Sequence, residues 1–318
     1  MEKEIMIQSK VVLKGTLSIP KHCQGKAPAV LIIPGTGKLD RNGRVNTKID
    51  LKLYRQLSEF LTSIGFVTLR YDKRGVGESE GNYITTGLWD LVDDAIAAVH
   101  FLKEQPEVDS KKVIVLGHSE GAALGTAVAA RENLGGLILL AGAVERLTEA
   151  LARQRELARI DVINGKGFQA SLLRFMGVQN KLEKQAQKYL DKVLKTDKDS
   201  IRIGLFPTNA KWMREHYAYN VREDLEKVTC PILAITGSRD IQANPDVLKD
   251  LPKYVTEVDA QFKVIEDMNH SLKYQANFSS IFSAKKDIIA DCESPVHPEL
   301  VRSLENWLQT YLRTEIAV

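Results

Sequence analysis

The chain has 318 residues, 44% of them hydrophobic and 27% charged, a composition typical of a globular protein that buries a substantial core. Its 44 lysines and arginines nearly balance its 41 aspartates and glutamates, and the net charge of +3 favours neither a nucleic acid nor a membrane surface as a partner. No apolar run approaches the roughly 18 residues of a membrane span, and the charged beginning of the chain shows no secretory signal.

Strand-like apolar runs alternate with amphipathic helical stretches through most of the chain. This alternation predicts an α/β fold, with a mostly parallel central sheet and helices on both of its faces. The first 20 residues are expected to form a leading hairpin. Later strands are predicted over 27–34, 66–70, 113–116, 137–140, 232–235 and 262–265, and helices over 50–64, 88–102 and about 298–313.

The alternation stops between residues 144 and 225, where the sequence is charged, helical in pattern and free of strand-like runs. We predict that this stretch is a helical cap inserted over the carboxyl end of the sheet, and that residues 1–143 and 226–318 form the core domain. The alternative is a set of peripheral helices that pack on the sheet without touching a substrate. Residues 275–297 are predicted to be an ordered loop.

A G-x-S-x-G motif follows the strand predicted over 113–116, and a helix rich in small residues follows the motif. A serine in this position lies on a sharp turn between strand and helix that exposes its hydroxyl group. Gly117 and Gly121 suit that turn because larger side chains would collide with the neighbouring strand and helix. The motif therefore predicts Ser119 as a nucleophile.

A serine nucleophile needs a general base and a carboxylate that orients the base. In this arrangement the acid and then the histidine follow the serine along the chain, each on a loop after a strand. Asp240 follows the strand predicted over 232–235, and His270 follows the strand predicted over 262–265. We therefore predict that Ser119, Asp240 and His270 form a catalytic triad.

Three other residues are considered for the same roles. His297, at the start of the last helix, competes with His270 as the base. Asp246 and Asp267 are alternatives to Asp240 as the acid. Asp246 has the position of a helix cap, and Asp267 lies only three residues before His270.

The negative charge that develops on the substrate oxygen needs backbone N–H donors. One is expected to be the N–H of Glu120, the residue after the nucleophile. The other is assigned to Thr36, because a glycine on each side of it lets the loop after an early strand approach the substrate. A simple glycine turn at the same place is the alternative for that loop.

Three further stretches resemble a known group of proteins: GTGKLDRNG at 35–43, RYDKRGVGES at 70–79 and GSRDIQ at 237–242. With the motif at Ser119, they resemble a bacterial carboxylesterase and acyl-hydrolase branch of the α/β-hydrolase superfamily. The resemblance implies an α/β-hydrolase fold and serine hydrolase activity that uses no cofactor and no metal. It also implies that Asp40, Arg41 and residues 72–74 structure loops near the site.

We therefore predict a serine hydrolase that cleaves carboxylic ester bonds of small acyl substrates through an acyl-enzyme intermediate. Acyl thioesterase and amidase or peptidase activity are the alternatives with the same triad, and a ligand-binding module without catalysis is a more remote one. Trp212 and Tyr217, in the predicted cap, are selected as substrate-binding residues. They alternatively serve only to join the cap to the core.

The three cysteines, Cys23, Cys230 and Cys292, are odd in number and far apart, so they indicate neither a metal site nor a disulfide framework. A reducing, cytoplasmic location is therefore expected. The expected partner is a small-molecule acyl ester, with no nucleic acid and no membrane, and a homo-oligomer is left open.

Overall fold

Eight strands build one sheet in the computed structural model, which describes residues 1–312 except 22 and 24. Residues 313–318 lie outside the described residues. They include the end of the helix predicted over about 298–313 and the end of the core segment predicted over 226–318. Four further strands form two separate hairpins, β4 with β5 and β9 with β10. Over the described residues, the strands are β1 Glu2–Gln8, β2 Val12–Ser18, β3 Ala27–Ile33, β4 Arg44–Asn46, β5 Ile49–Asp50, β6 Val67–Tyr71, β7 Val108–His118, β8 Gly136–Leu140, β9 Ser200–Ile203, β10 Phe206–Asn209, β11 Ile232–Gly237 and β12 Ala260–Ile265.

The strand order in the central sheet is β1-β2-β6-β3-β7-β8-β11-β12. The predicted leading hairpin is confirmed, because β1 pairs with β2 in antiparallel register and β2 pairs in the same sense with β6. In this strand order, every neighbouring pair from β6 onward is parallel. The carboxyl ends of β3, β7, β11 and β12 therefore meet at one edge of the sheet, where ligands bind in open α/β sheets.

Helices cover both faces of the sheet, as predicted. Val30 and Ile32 of β3 belong to one apolar cluster, while Leu31 and Ile33 of the same strand belong to another, because successive side chains of a strand point to opposite faces. The helices are α1 Leu53–Ser63, α2 Leu88–Lys103, α3 Glu120–Ala129, α4 Leu147–Asn164, α5 Phe168–Phe175, α6 Val178–Leu194, α7 Ala210–Ala218, α8 Val221–Leu225, α9 Leu251–Tyr254, α10 Ala284–Asp291 and α11 Pro298–Leu312.

Helices α1 and α11 pack on the face that carries Val30 and Ile32, and α2 and α3 pack on the opposite face. None of the helices over the described residues has the length and apolar content that a membrane crossing requires. The α/β fold with a mostly parallel sheet is confirmed.

The chain between β8 and β11 differs in one respect from the prediction of an all-helical segment. It contains α4 to α8, but a short antiparallel hairpin of β9 and β10 lies between α6 and α7. Gly204 adopts a φ of 62° in the connecting turn, a left-handed conformation that glycine tolerates well. Each strand has only four residues, and the alternation of Ile201 and Ile203 is too short to stand out from the helical pattern around it. The division of domains at residues 144 and 225 stays a prediction.

The second difference lies in residues 275–297, which were predicted to be a loop. They contain the eight-residue helix α10. The Ser283 hydroxyl donates to the Asp287 carboxylate at 2.8 Å near its start, and only Asp291 of the helix is buried. A helix that buries so little has no apolar stripe, so its sequence lacks the periodicity that predicts helices.

Candidate active site

Ser119 occupies the turn between β7 and α3 with φ 56° and ψ −118°, a strained conformation for a residue other than glycine. A Cβ atom on Gly117 would lie 2.0 Å from the carbonyl oxygen of Gly121. One on Gly121 would lie 2.2 Å from the carbonyl oxygen of Ile33. The two glycines therefore allow the backbone approach that the turn requires, as the motif predicts.

The structure brings the three predicted triad residues together at the carboxyl edge of the sheet. His270 Nε2 lies 3.0 Å from Ser119 Oγ, and His270 Nδ1 lies 2.8 Å from Asp240 Oδ2. Because Nδ1 faces a carboxylate, it carries the ring proton, and Nε2 is left to accept the serine proton. The arrangement can therefore activate a serine hydroxyl by general-base catalysis.

The carboxylate of Asp240 is held by its own loop. Its side chain is fully buried, and Oδ1 accepts hydrogen bonds from the backbone N–H groups of Gln242 and Ala243, both at 2.8 Å. These bonds compensate for the burial of the carboxylate charge and fix its direction toward the imidazole.

The structure does not bring the competing residues into these roles. His297 Nδ1 accepts from the backbone N–H of Glu299 at 3.2 Å, at the start of α11. The Asp267 carboxylate pairs with Arg239 at 2.6 Å. Asp246 lies in a 3₁₀ turn after β11, where the side chain of Asn244 caps its backbone N–H at 3.0 Å.

His118, inside the motif, links the two sides of the site in a way that the sequence analysis missed. Its Nε2 lies 2.9 Å from the carbonyl oxygen of His270 and therefore carries the proton, while Nδ1 accepts from the Tyr54 hydroxyl at 3.1 Å. The Tyr54 oxygen in turn accepts the backbone N–H of Gly35 at 2.7 Å. Burial lowers the pKa of His118 to about 3, so the ring stays neutral. A polar residue directly before the nucleophile was the available signal.

Over the part of the chain that the structure describes, the two N–H groups expected to bind a substrate oxygen have no other acceptor. Among the described residues, the N–H groups of Thr36 and Glu120 donate to no other group, whereas the N–H of Gly35 is occupied by Tyr54. Thr36 and Glu120 are the two residues that the sequence predicts for the oxyanion hole. Their catalytic role stays a proposal.

The side chain of Glu120 is buried beside Lys73, Trp212 and His216, of which Lys73 and Trp212 donate hydrogen bonds to it. Oε2 accepts from Lys73 Nζ at 2.8 Å, and Oε1 accepts from the indole N–H of Trp212 at 2.5 Å. His216 Nε2 lies 3.1 Å from the same Oε1. Burial alone would raise the pKa of the Glu120 carboxyl, but the charge of Lys73 and the proximity of His216 hold it well below its usual value. Glu120 is therefore a carboxylate.

A cavity of about 260 Å³ opens at Ser119 and His270. Apolar side chains from the segment 36–53 and Ile288 of α10 make up much of its wall. A larger cavity, of about 730 Å³, lies beside Met1 and Ile64, where none of the triad residues is present. The cavity at Ser119 is lined by Gly35, Thr36, Leu39, Val45, Ile49, Leu51, Leu53, Tyr54, His118, Ser119, Gln242, His270, Ser271 and Ile288.

The two residues selected for substrate binding are not part of this wall. Trp212 instead donates to the Glu120 carboxylate, and Tyr217 packs on the apolar cluster of the insertion around Leu190 and Val193. Both lie on α7, whose helical periodicity alone cannot say which side chain reaches the core. Over the described residues, no group of three or more His, Cys, Asp or Glu side chains is arranged to hold a metal ion.

Residues 50–275 match the family described as serine aminopeptidase, S33. The chain belongs to the S33 family. This membership confirms the resemblance to α/β hydrolases, because the matched region contains the motif at Ser119 together with Asp240 and His270.

Relatives of this S33 family member carry names of ester and thioester hydrolases. Esterase EstD of Thermotoga maritima is 27% identical over 85% of the chain, and the match spans only 59% of the length of EstD. A mitochondrial palmitoyl-protein thioesterase of Bos taurus, ABHD10, is 22% identical over 87% of the chain and 78% of its own length.

Solved structures agree on the fold. Est1E of Butyrivibrio proteoclasticus, in complex with ferulic acid, superposes with a TM-score of 0.62 at 18% identity, covering 97% of this chain and 99% of its own. The esterase Pf2001 of Pyrococcus furiosus gives a TM-score of 0.56 at 15% identity, covering 98% of this chain and 94% of its own. The α/β-hydrolase fold is confirmed.

Proposed function

We propose that the protein is a serine hydrolase that cleaves carboxylic ester bonds of small acyl substrates through an acyl-enzyme intermediate. The observation that carries this proposal is the continuous chain of hydrogen bonds from Asp240 through His270 to Ser119, at the mouth of an apolar cavity. Such a chain makes a serine hydroxyl nucleophilic at neutral pH.

In the first half of the reaction, Ser119 Oγ attacks the carbonyl carbon of the ester while His270 Nε2 accepts its proton. Asp240 orients the imidazole and stabilises the cation that forms. The tetrahedral intermediate then collapses, the alcohol leaves with the proton from His270, and the acyl group stays on Ser119. Water repeats the sequence as the nucleophile, and His270 again takes and returns one proton, which releases the acid and restores the serine.

The oxygen of the tetrahedral intermediate carries a negative charge. We assign the binding of this oxygen to the N–H groups of Thr36 and Glu120. Both groups are free among the described residues, and both lie next to residues that line the cavity. Donors of this kind contribute roughly 3 kcal/mol each to lowering the activation free energy in other hydrolases.

The size and the apolar lining of the cavity favour esters with a small apolar group. Its volume of about 260 Å³ lies below the range of roughly 300–1,000 Å³ that is usual for drug-sized ligands. Among the described residues, no carboxylate lines it, which disfavours the free ammonium group of an aminopeptidase substrate. The names of EstD as an esterase and of ABHD10 as a thioesterase both support acyl transfer to water. Thioester hydrolysis is the second candidate.

A panel of p-nitrophenyl esters, acyl-CoA thioesters and aminoacyl p-nitroanilides of graded size tests the proposal. We expect the largest kcat/KM for short esters and no turnover of the anilides. Ser119→Ala is expected to lose this activity while keeping the unfolding midpoint of the parent. Preference for thioesters would change the proposed substrate class, and ester turnover that survives in Ser119→Ala would contradict the mechanism.

We also propose a cytoplasmic location, which the three free cysteines support. Cys230 and Cys292 are buried, and burial raises the pKa of the Cys230 thiol to about 12, so this thiol is unreactive. A homo-oligomer stays a prediction. Gel filtration with light scattering would test it by measuring the molar mass of the protein in solution.

A further inference from the structure

The Glu120 carboxylate is the point at which the core and the insertion meet beside the nucleophile. Lys73 reaches it from the loop after β6, and Trp212 and His216 reach it from α7 of the insertion. The mechanism described above uses the backbone N–H of Glu120 and gives its buried side chain no role. A buried carboxylate with three polar neighbours is costly to place there, so its position calls for an explanation.

Lys73 contacts both halves of the proposed oxyanion hole. Its ammonium group donates to the Glu120 carboxylate at 2.8 Å and to the carbonyl oxygen of Gly35 at 2.6 Å. The carbonyl of Gly35 and the N–H of Thr36 belong to one planar peptide unit, in which they point in opposite directions. Holding the Gly35 oxygen therefore fixes the direction of the Thr36 N–H.

The same cluster sets the charge near the developing oxyanion. The Glu120 carboxylate belongs to the residue whose N–H would receive that oxyanion, and its negative charge would oppose the reaction if it were not compensated. Lys73, with only 2% of its side chain exposed, supplies a positive charge at hydrogen-bond distance. The indole N–H of Trp212 donates to the other carboxylate oxygen of Glu120. The Glu120 side chain is not among the residues that line the cavity.

We propose that Lys73 and Trp212 are positioning residues for the oxyanion hole, acting through Glu120 and through the Gly35 carbonyl. The insertion then contributes to the chemical step by locking the Glu120 side chain, rather than by forming the wall of the acyl cavity. This inference rests on the proposed ester hydrolysis and adds to it which residues align the two N–H donors.

The test compares two substrates that differ at one atom, a p-nitrophenyl ester and the thionoester in which sulfur replaces the carbonyl oxygen. Sulfur accepts N–H hydrogen bonds weakly, so the ratio of the two kcat/KM values measures how well the oxyanion hole is aligned. The variants are Trp212→Phe, which removes one N–H and keeps an aromatic ring, and Lys73→Met, which removes the charge.

We expect Trp212→Phe to lower kcat about tenfold and Lys73→Met about a hundredfold, with KM within about twofold of the parent value. The ester-to-thionoester ratio is expected to fall in the same order. Trp89→Phe is the matched control, because Trp89 of α2 packs against Tyr219, at 5.7 Å between ring centroids, and is not a partner of Glu120. It should leave both quantities unchanged.

Trp212→Phe with an unchanged kcat and an unchanged ratio would overturn the inference, as would a shift in acyl-length preference at constant ratio. A lowered unfolding midpoint with the parental ratio would assign both residues a structural role only and would also overturn it. If Lys73→Met does not fold, Trp212→Phe decides alone. A parent protein without ester turnover would instead overturn the proposed function, so the two failures are distinguishable.

Discussion

Two segments approach the site beside Ser119, and they contribute different kinds of contact. The segment 36–53 places apolar side chains such as Leu39, Ile49 and Leu51 on the cavity wall. The insertion places Trp212 against the Glu120 carboxylate, behind that wall. Under the proposed mechanism, substrate selection would fall to the segment 36–53 and alignment of the oxyanion hole to the insertion.

After the loss of activity expected for Ser119→Ala, the largest effect is expected at Asp240, the proposed acid of the triad. Asp240→Asn should lower kcat roughly a thousandfold to ten-thousandfold, because an amide no longer stabilises the imidazolium or selects the required tautomer. Initial rates on a p-nitrophenyl ester measure this loss. Asp267→Asn is the control, since Asp267 pairs with Arg239 and should change kcat by less than about threefold. Equal losses in the two variants would contradict the assignment of Asp240.

The next effect distinguishes the two segments directly. Leu51→Trp should fill part of the cavity and lower kcat/KM for the longer p-nitrophenyl esters about tenfold to a hundredfold, with acetate turnover retained. Tyr217→Leu, in the apolar cluster of the insertion, should leave the chain-length preference unchanged. A preference that follows Tyr217 and ignores Leu51 would reverse the comparison and restore the role predicted from the sequence.

The smallest effect concerns His118, which connects the base loop to Tyr54. Its folded-state pKa of about 3 lies below the ordinary value of 6.5, so the unfolded chain binds the extra proton more readily. The corresponding stability is fully present above pH 6.5 and is lost as the pH falls from 6.5 toward 3. His118→Gln should reduce the slope of the free energy of unfolding against pH by up to about 1.4 kcal/mol per pH unit in this range.

Urea unfolding at intervals between pH 5 and pH 8 measures that slope. Above pH 7 the parent and His118→Gln should have parallel pH dependences, which serves as the internal control. Parallel curves below pH 6 as well would show that His118 is protonated in the folded protein or that its ring is exposed to water.

The alternation of apolar runs was sufficient to predict the main strands of the sheet and the large helices. β3 and the second half of β7 are nearly continuous apolar segments in parallel strands, and α1 and α11 carry regular apolar stripes, so local pattern and tertiary environment agree there. The pattern failed for β4, β5, β9, β10 and α10, which bury few side chains. Weakly buried elements leave little periodicity in a sequence.

The chemistry followed the same division. Ser119, Asp240 and His270 each follow a parallel strand, and the positions of their strands in the chain order were enough to propose that they meet. Trp212 and Tyr217 were selected only because they are aromatic and lie in the insertion. An aromatic side chain on a helix can bind substrate, pack on its neighbours or donate a hydrogen bond, and only its direction separates these uses.

By itself, the sequence determined the order of the main strands and large helices, the strained turn at Ser119 and the three side chains expected at the carboxyl edge, because these depend on local pattern and on the rules of parallel sheets. The tertiary structure decided which segment forms the cavity wall and that Lys73 and Trp212 meet at Glu120. Those contacts join residues far apart in the chain, and no local preference specifies the direction in which two distant elements present their side chains.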